Sequence, residues 1–254
     1  MDGTVYLGER LLPGVNDLLR YFRRAGKRYL FLTNNSSKRR GDYLQKLRRL
    51  GVEGVSEDEI FTSGEAAAGY LRARRPGARL CVVGTPALQA EFQAAGFTLD
   101  DAAPEVVVLG FDTGITYERI RLLCDHVRAG LPYIATHPDL NCPVDGGTIP
   151  DTGAFIALVQ ASTGRRPDVI IGKPFEPIIA ALAEKTGVAP AQVTMVGDRL
   201  ATDIALGQHG PTTVLVLSGE TRPEHIPDAE VPPDYVLRDL AELLERLEGQ
   251  SGAG

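Results

Sequence analysis

Apolar residues along the chain follow two patterns that alternate. Between residues 15 and 25 they fall at helical spacing, and Gly26 comes next, which predicts a helix that ends at this glycine. The following apolar residues form a compact run at 29–32, which predicts a buried strand. A polar turn then leads into a basic segment at 37–50, where we expect a second helix.

Seven more short apolar runs have the length of buried strands: 80–83, 106–109, 133–135, 169–171, 193–196, 214–217 and 235–237. Helical stretches separate most of them. Continuous apolar strands that alternate with helices are typical of parallel sheets covered on both faces, so the sequence predicts the α/β class.

Ser56 and Glu59 have capping-box spacing, but the next apolar residues follow too soon for a long helix, and we expect a short turn. We expect the tail at 249–254 to be disordered.

Composition narrows the class of protein. The 254 residues are 43% hydrophobic and 24% charged, which is ordinary for a globular protein of one large domain or two smaller ones. The formal net charge of −6 argues against binding to nucleic acid or to a membrane surface. No apolar run reaches the roughly 18 residues of a membrane span, and no stretch resembles a signal peptide. The three separated cysteines, Cys81, Cys124 and Cys142, lack metal-ligand spacing and indicate a reducing, cytoplasmic setting.

Chemically active side chains are concentrated in four stretches, each of which follows a strand or a strand-like position. They are Asp2-Gly3-Thr4, Leu32-Thr33-Asn34, Gly172-Lys173-Pro174, and residues 197–203 with Asp198 and Asp203. The carboxyl ends of parallel strands meet at one edge of a sheet, so we expect these groups to converge. Carboxylates suit Mg²⁺, while hydroxyl, amide and ammonium groups suit a phosphate. Each stretch alone is a common turn, but the four in this order predict a phosphate site with a hard cation.

The four stretches resemble the motifs of the haloacid dehalogenase superfamily of phosphohydrolases: D-x-D-G-T, a strand ending in Thr or Ser, a lysine, and G-D-x-x-x-x-D. The longer segments MDGTVYLGERLLPG, FLTNNSS, IATHPD, GKPFEPII and VGDRLATDIALG are similar to the branch that contains p-nitrophenyl, phosphoglycolate and pyridoxal phosphatases. The resemblance implies an α/β fold in which a Rossmann-like parallel-sheet core carries an inserted α/β cap. We expect the core at residues 1–77 and 168–254 and the cap at residues 78–167.

The resemblance also implies roles for the aspartates. Asp2 would protonate the leaving oxygen and later deprotonate water, with its backbone carbonyl on a Mg²⁺ ion. Asp198 would be a direct Mg²⁺ ligand, and Asp203 would be its outer-shell partner. The family's nucleophile, the first aspartate of D-x-D, would stand immediately before Met1, so we expect the natural protein to start upstream of Met1. The alternative is a catalytically inactive protein that binds a phosphate ligand.

For the second and third motifs, the resemblance implies contacts with the phosphate. Thr33 and the amide groups around Asn34 would hold the phosphoryl oxygens, and Lys173 would neutralise charge between phosphate and nucleophile. The implied partner is a small phosphorylated metabolite, without nucleic acid or membrane, and a homodimer is compatible with the sequence. The glycines do not form a G-x-G-x-x-G fingerprint after a strand, and neither a P-loop nor a G-x-S-x-G motif is present.

The best candidate for substrate specificity is the loop that runs from residues 136–139 through residues 151–153. It resembles a substrate-facing region of the family, and His137 and Asp139 are its candidate contacts. The alternative is a structural role, in which Asp151 or Thr152 caps a helix that begins near Gly153.

Overall fold

A computed structural model describes residues 1–144 and 146–251 of the protein. The helices of this part are α1 (Val15–Arg24), α2 (Arg40–Arg49), α3 (Ser63–Arg74), α4 (Pro86–Ala94), α5 (Tyr117–Arg128), α6 (Thr152–Thr163), α7 (Glu176–Thr186) and α8 (Leu240–Ser251). The strands are β1 (Tyr6–Leu7), β2 (Arg10–Leu11), β3 (Phe31–Thr33), β4 (Ile60–Thr62), β5 (Arg79–Val83), β6 (Thr98–Leu99), β7 (Val106–Leu109), β8 (Tyr133–Ala135), β9 (Asn141–Val144), β10 (Gly147–Pro150), β11 (Val169–Ile170), β12 (Thr194–Gly197), β13 (Thr212–Val216) and β14 (Tyr235–Leu237). None of the described helices has the length and apolar character needed to cross a bilayer.

The chain divides into two compact units, each assembled from separate segments. Unit 1 contains Met1–Leu32, Tyr43–Ile60 and Ala183–Gly254, and unit 2 contains Thr33–Asp42 and Phe61–Leu182. The core and cap boundaries expected from the sequence, at 77/78 and 167/168, stay a prediction.

Unit 1 is built around a parallel sheet in the order β12-β13-β14, and β1 and β2 form a separate antiparallel pair. The helical spacing seen in the sequence of α1 puts Val15, Leu18 and Leu19 on one buried face. These residues join a core cluster that also contains Leu47 of α2 and Leu240 of α8. Met1, which precedes β1, and Val196 of β12 pack against this cluster.

Unit 2 contains a five-stranded sheet in the order β11-β8-β7-β5-β6, in which every pairing is parallel. All four residues of β7 are buried, which explains why its sequence is continuously apolar rather than alternating. Cys81 of β5 and Cys124 of α5 belong to one buried core cluster. Burial raises the pKa of the Cys81 thiol to about 12, so this thiol is unreactive at neutral pH. The α/β class predicted from the sequence is confirmed.

Several elements differ from the sequence-based expectations. The antiparallel hairpin of β9 and β10 was not predicted, because its strands are mostly exposed and lack an apolar pattern. The expected short turn at 57–59 is a 3₁₀-helix with a capping box between Ser56 and Glu59. The prediction of a disordered tail is wrong for residues 249–251, which continue α8, and residues 252–254 lie outside the described part. The helix continues because Leu243, Leu244 and Leu247 pack against the unit 1 core.

Candidate functional site

The first motif forms a tight turn in unit 1. The N–H group of Gly3 donates a hydrogen bond to the carbonyl oxygen of Tyr6 at 2.7 Å. Gly3 has a φ angle of 77°, a left-handed conformation that glycine adopts without steric cost. The turn leaves Asp2 half-buried and Thr4 buried.

Asp198 follows β12, and its side chain is fixed against this turn. Its Oδ1 accepts a hydrogen bond from the Thr4 hydroxyl at 2.9 Å, and its Oδ2 accepts one from the N–H group of Glu220, also at 2.9 Å. A Cβ atom built on either Gly3 or Gly219 would lie 2.1 Å from Oδ2, so both positions need glycine for the carboxylate to fit. The structure therefore brings the first and fourth motifs together in unit 1.

Asp203 supports the loop that carries Asp198. Its Oδ2 accepts hydrogen bonds from the N–H groups of Asp198 and Arg199, both at 3.2 Å, and the residue is buried. A carboxylate that binds the backbone in this way fixes the direction of the neighbouring side chain. This geometry is compatible with the predicted outer-shell role, which stays a prediction.

The second and third motifs meet in unit 2. Thr33 ends β3, and its hydroxyl accepts the N–H group of Asn35 at 3.3 Å. The side-chain amide of Asn34 donates from Nδ2 to the carbonyl oxygen of Lys173 at 3.0 Å and accepts the Lys173 N–H group on Oδ1 at 2.8 Å. Lys173 is only 5% exposed. The structure thus brings Asn34 and Lys173 into direct contact, although 138 residues of chain separate them.

The predicted specificity loop contains a chain of buried hydrogen bonds. The Ser36 Oγ accepts the N–H group of Phe111 at 3.1 Å and lies 3.0 Å from the Thr136 Oγ1. The Thr136 Oγ1 lies 2.9 Å from Nδ1 of His137, whose Nε2 lies 2.8 Å from Oδ1 of Asp151. One assignment of hydrogens satisfies every group in this chain of bonds. In it the Ser36 hydroxyl donates to the Thr136 Oγ1, the Thr136 hydroxyl donates to Nδ1 of His137, and the His137 Nε2–H donates to Asp151. Both ring nitrogens of His137 are therefore engaged inside the protein.

The same loop also has a structural role. Asp151 is the N-cap of α6, and its Oδ1 accepts the N–H group of Thr152 at 2.6 Å. The carbonyl oxygen of Asp139 accepts the N–H group of Gly153 at 2.8 Å. His137 is fully buried and Asp139 is half-buried, so only Asp139 reaches the protein surface. A role of either residue in specificity stays a prediction.

Two groups of side chains are candidates for holding a divalent ion. In unit 1, the buried carboxylate of Asp198 lies beside the Asp2 turn, and the nearby donors are oxygen atoms, which fits a hard cation such as Mg²⁺. In unit 2, ligand atoms of His137, Asp139 and Asp151 lie within 4.8 Å of one another. There the Nε2 of His137 already bonds to Asp151 at 2.8 Å, and a metal ion would have to break that bond. Each Asp198 oxygen accepts one of the hydrogen bonds given above and keeps a further lone pair for a cation, whereas both ring nitrogens of His137 are fully used, so the donor set of Asp198 fits better.

Sequence reasoning missed the residues that hold these groups in place. Thr4 was quoted only as part of a turn, although a hydroxyl two residues after Asp2 was a usable signal. Ser36 also lay within the segment FLTNNSS, but its contact with Thr136 spans 100 residues of sequence. Glu220 contributes only its backbone N–H group, and no sequence pattern reveals such a donor.

Comparison with known proteins identifies the family of the chain. Residues 1–98 match the family model described as haloacid dehalogenase-like hydrolase, and residues 170–243 match a second one described as HAD-hydrolase-like. The acid sugar phosphatase of Staphylococcus aureus is 36% identical over 251 residues, which are 98% of this chain and 96% of that protein. The solved 4-nitrophenylphosphatase of Thermotoga maritima has a TM-score of 0.93 at 46% identity, over 96% of this chain and 94% of that one.

A third relative is the glycerol phosphate phosphatase of Mycobacterium tuberculosis, solved in complex with calcium. It has a TM-score of 0.87 at 30% identity, over 96% of this chain and 72% of that one. These similarities confirm the Rossmann-like fold with a cap and the phosphatase branch expected from the motifs. The chain belongs to the haloacid dehalogenase-like hydrolase family, and the three relatives named above are phosphatases.

Proposed function

We propose that the protein hydrolyses phosphomonoesters of small metabolites in a Mg²⁺-dependent reaction through an aspartyl-phosphate intermediate. The observation that carries the proposal is the buried Asp198 carboxylate, held by the Thr4 hydroxyl and the Glu220 N–H group beside the Asp2 turn. The phosphatase relatives support the reaction class, and the calcium ion in the mycobacterial relative supports a divalent metal.

The metal ion is proposed to bind the Asp198 carboxylate and the backbone carbonyl of Asp2. When bound, it would polarise the phosphoryl group and offset its negative charge. Asp203 holds the Asp198 loop through two backbone N–H groups, which keeps the carboxylate in one orientation. The hydroxyl of Thr4 occupies one lone pair of Asp198 Oδ1 and limits its rotation.

Phosphate recognition is proposed for Thr33, for the amide groups around Asn34, and for Lys173. Because the side-chain amide of Asn34 is bonded to Lys173, the proposed phosphate donors here are backbone N–H groups together with the Thr33 hydroxyl. The ammonium group of Lys173 is proposed to balance the charge that the phosphoryl oxygens gain during transfer.

The nucleophile is proposed to be an aspartate encoded directly before Met1. Its carboxylate oxygen would form a bond to phosphorus while the ester P–O bond breaks, and the Asp2 carboxyl group would give its proton to the leaving oxygen. Asp2 would then take a proton from water as the water oxygen attacks phosphorus. This second step releases inorganic phosphate and restores the free carboxylate.

The leaving group is proposed to be read by the loop at 136–139 and residues 151–153. His137 would act indirectly, because both of its ring nitrogens are bonded inside the protein, and Asp139 is the better candidate for direct contact.

We further propose a cytoplasmic location, supported by the two buried thiols. We also propose a homodimer, which light scattering after gel filtration would test.

The proposal is tested with two forms of the protein, one that starts at Met1 and one that includes the residues encoded upstream. The upstream form should turn over p-nitrophenyl phosphate with Mg²⁺ and lose this activity with a chelator, while the form from Met1 should be inactive. Robust turnover by the shorter form would overturn the nucleophile assignment. The control is the Asp2→Asn variant of the shorter form, prepared in the same way, whose inactivity would exclude a contaminating phosphatase. A polar stretch or a stop codon directly upstream would favour the inactive, phosphate-binding alternative.

A further inference from the structure

The Asn34 side chain uses both of its polar atoms on a single partner. Nδ2 donates to the carbonyl oxygen of Lys173 at 3.0 Å, and Oδ1 accepts the N–H group of the same residue at 2.8 Å. Both residues are buried, Asn34 at 6% exposure and Lys173 at 5%. An amide that pairs in this way fixes both the position and the direction of the backbone it holds.

Asn34 is itself held from two further sides. The hydroxyl of Ser63, the first residue of α3, donates a hydrogen bond to the carbonyl oxygen of Asn34. On the other side, a Cβ atom built on Gly172 would lie 2.7 Å from the Oδ1 of Asn34, so the Gly172 backbone packs directly against the amide. The N–H group of Gly172 is in turn bound to the carbonyl oxygen of Thr136 at 2.8 Å. The amide therefore joins the end of β3 to the loop after β11.

We propose that Asn34 is the positioning residue of Lys173. A lysine ammonium group is a point charge on a flexible four-carbon chain, so its place depends on how firmly the backbone beneath it is held. Preorganised charge is what lowers the barrier of phosphoryl transfer, and a displacement of about 1 Å can cost about a hundredfold in rate. This inference rests on the proposed function, which gives Lys173 its role at the phosphate.

The positioning role differs from direct phosphate binding by the Asn34 side chain. A ligand residue would act on the phosphate by itself, so its loss would add to the loss of Lys173. A positioning residue acts only through Lys173, so its loss should have no further effect once the ammonium group is gone. A double-mutant cycle separates the two roles.

The cycle uses the protein with its upstream residues and measures kcat and KM for p-nitrophenyl phosphate at saturating Mg²⁺. We expect Lys173→Ala to lower kcat by about a hundredfold or more and Asn34→Ala to lower it by about 10–100-fold. The double variant should match Lys173→Ala within about threefold. The affinity of each protein for inorganic phosphate, measured by calorimetry, should follow the same non-additive pattern.

Asn16 provides a matched control. Its Nδ2 donates to the carbonyl oxygen of Gly51 at 2.8 Å and its Oδ1 accepts the Glu53 N–H group at 3.0 Å, so it makes two amide-to-backbone bonds outside the motifs, although to two different residues and in a more exposed setting. Asn16→Ala should lower the melting temperature and leave kcat unchanged. If Asn34→Ala does not fold, Asn34→Asp replaces it in the cycle, because it keeps the acceptor for the Lys173 N–H group and sets an oxygen against the Lys173 carbonyl oxygen.

The outcomes distinguish the two layers of the proposal. Additive losses in the double variant would overturn the positioning role and identify Asn34 as an independent contributor. Unchanged kcat in Lys173→Ala would overturn the proposed function of Lys173, whatever Asn34→Ala does. A kcat in Asn34→Ala equal to that of the parent protein, with Lys173→Ala impaired, would show that Lys173 needs no such support and would also overturn the inference.

Discussion

Glu91 lies in a charged contact between α3 and α4 of unit 2, and its replacement tests the electrostatics of the structure. Its Oε2 is buried and accepts no hydrogen bond from the part of the chain that the structure describes. The pKa of Glu91 is raised from 4.5 to about 7, with burial as the largest cause and the Glu65 carboxylate as the second, while Arg40, Arg39 and a hydrogen bond from Thr62 oppose the rise. We expect Glu91 to carry a proton in the native state at mildly acidic pH.

The sign and size of the effect on stability follow from this pKa. Because the native pKa lies above the unfolded one, the stability associated with Glu91 is fully present below pH 4.5 and is lost as the pH rises through about 7. A rise from 4.5 to about 7 corresponds to about 3 kcal/mol at about 1.4 kcal/mol per pKa unit. Glu91→Gln removes the charge and keeps the shape. At pH 8 it should raise the free energy of unfolding by about 2–3 kcal/mol, and at pH 4.5 it should change little.

The assay is urea unfolding at pH 4.5, 6, 7 and 8, followed by circular dichroism, for the parent protein and Glu91→Gln. Glu105→Gln is the control of opposite sign, because the Glu105 carboxylate accepts the N–H group of Arg79 at 2.9 Å and this bond lowers the pKa of Glu105. It should cost stability throughout the series from pH 8 to pH 4.5, and that cost should shrink only below pH 4.5, as the Glu105 carboxylate takes up a proton in the folded protein. A Glu91→Gln variant that is less stable than its parent at pH 8, or equally shifted at every pH, would refute the reasoning.

Three further predictions concern the form proposed above, which includes the residues encoded upstream. Asp198→Asn should abolish turnover at any Mg²⁺ concentration. Asp203→Asn should lower kcat by about 10–100-fold, since Asp203 acts through backbone N–H groups. A larger loss of activity in Asp203→Asn than in Asp198→Asn, measured over a Mg²⁺ titration, would contradict the two roles. Thr4→Val should destabilise unit 1 by about 1.5–3 kcal/mol in urea unfolding, because a hydrogen bond to a buried carboxylate is lost, and an unchanged midpoint would argue against that bond. His137→Ala should lower the melting temperature. It should also change the ratio of kcat/KM between phosphorylated metabolites by about tenfold, or about 1.4 kcal/mol. Equal losses of kcat/KM on every substrate would show that the loop has a structural role and does not determine specificity.

The strands were predicted best where their burial is complete. The predicted ranges 106–109 and 133–135 coincide with β7 and β8, because every residue in them is buried and the apolar run has sharp ends. The hairpin of β9 and β10 has no such run. It contains Pro143 and Pro150 and is mostly exposed, so its pairing comes from backbone hydrogen bonds that leave little trace in the pattern of side chains.

The candidate site was predicted unevenly, for a related reason. Asp198 and Lys173 were singled out because their residue types at those spacings match known motifs, and their roles stay predictions. The contacts that hold them were not found, because the Thr4 hydroxyl meets Asp198 across 194 residues of sequence and the Asn34 amide meets Lys173 across 139. Local patterns describe neighbours along the chain, and such distant pairs become visible only once the chain is folded.

One physical feature is shared by the two halves of the motif set. In unit 1 the Asp203 carboxylate binds the N–H groups at the start of the Asp198 loop, and in unit 2 the Asn34 amide binds the backbone of Lys173. In each case a buried polar side chain from a motif is bonded to the backbone that carries a charged residue. Burying such a group is favourable only when its hydrogen bonds are made, so the same contacts that satisfy Asp203 and Asn34 also restrict the charged residues. The motif residues of this chain therefore include groups that hold charged residues in place as well as the charged residues themselves.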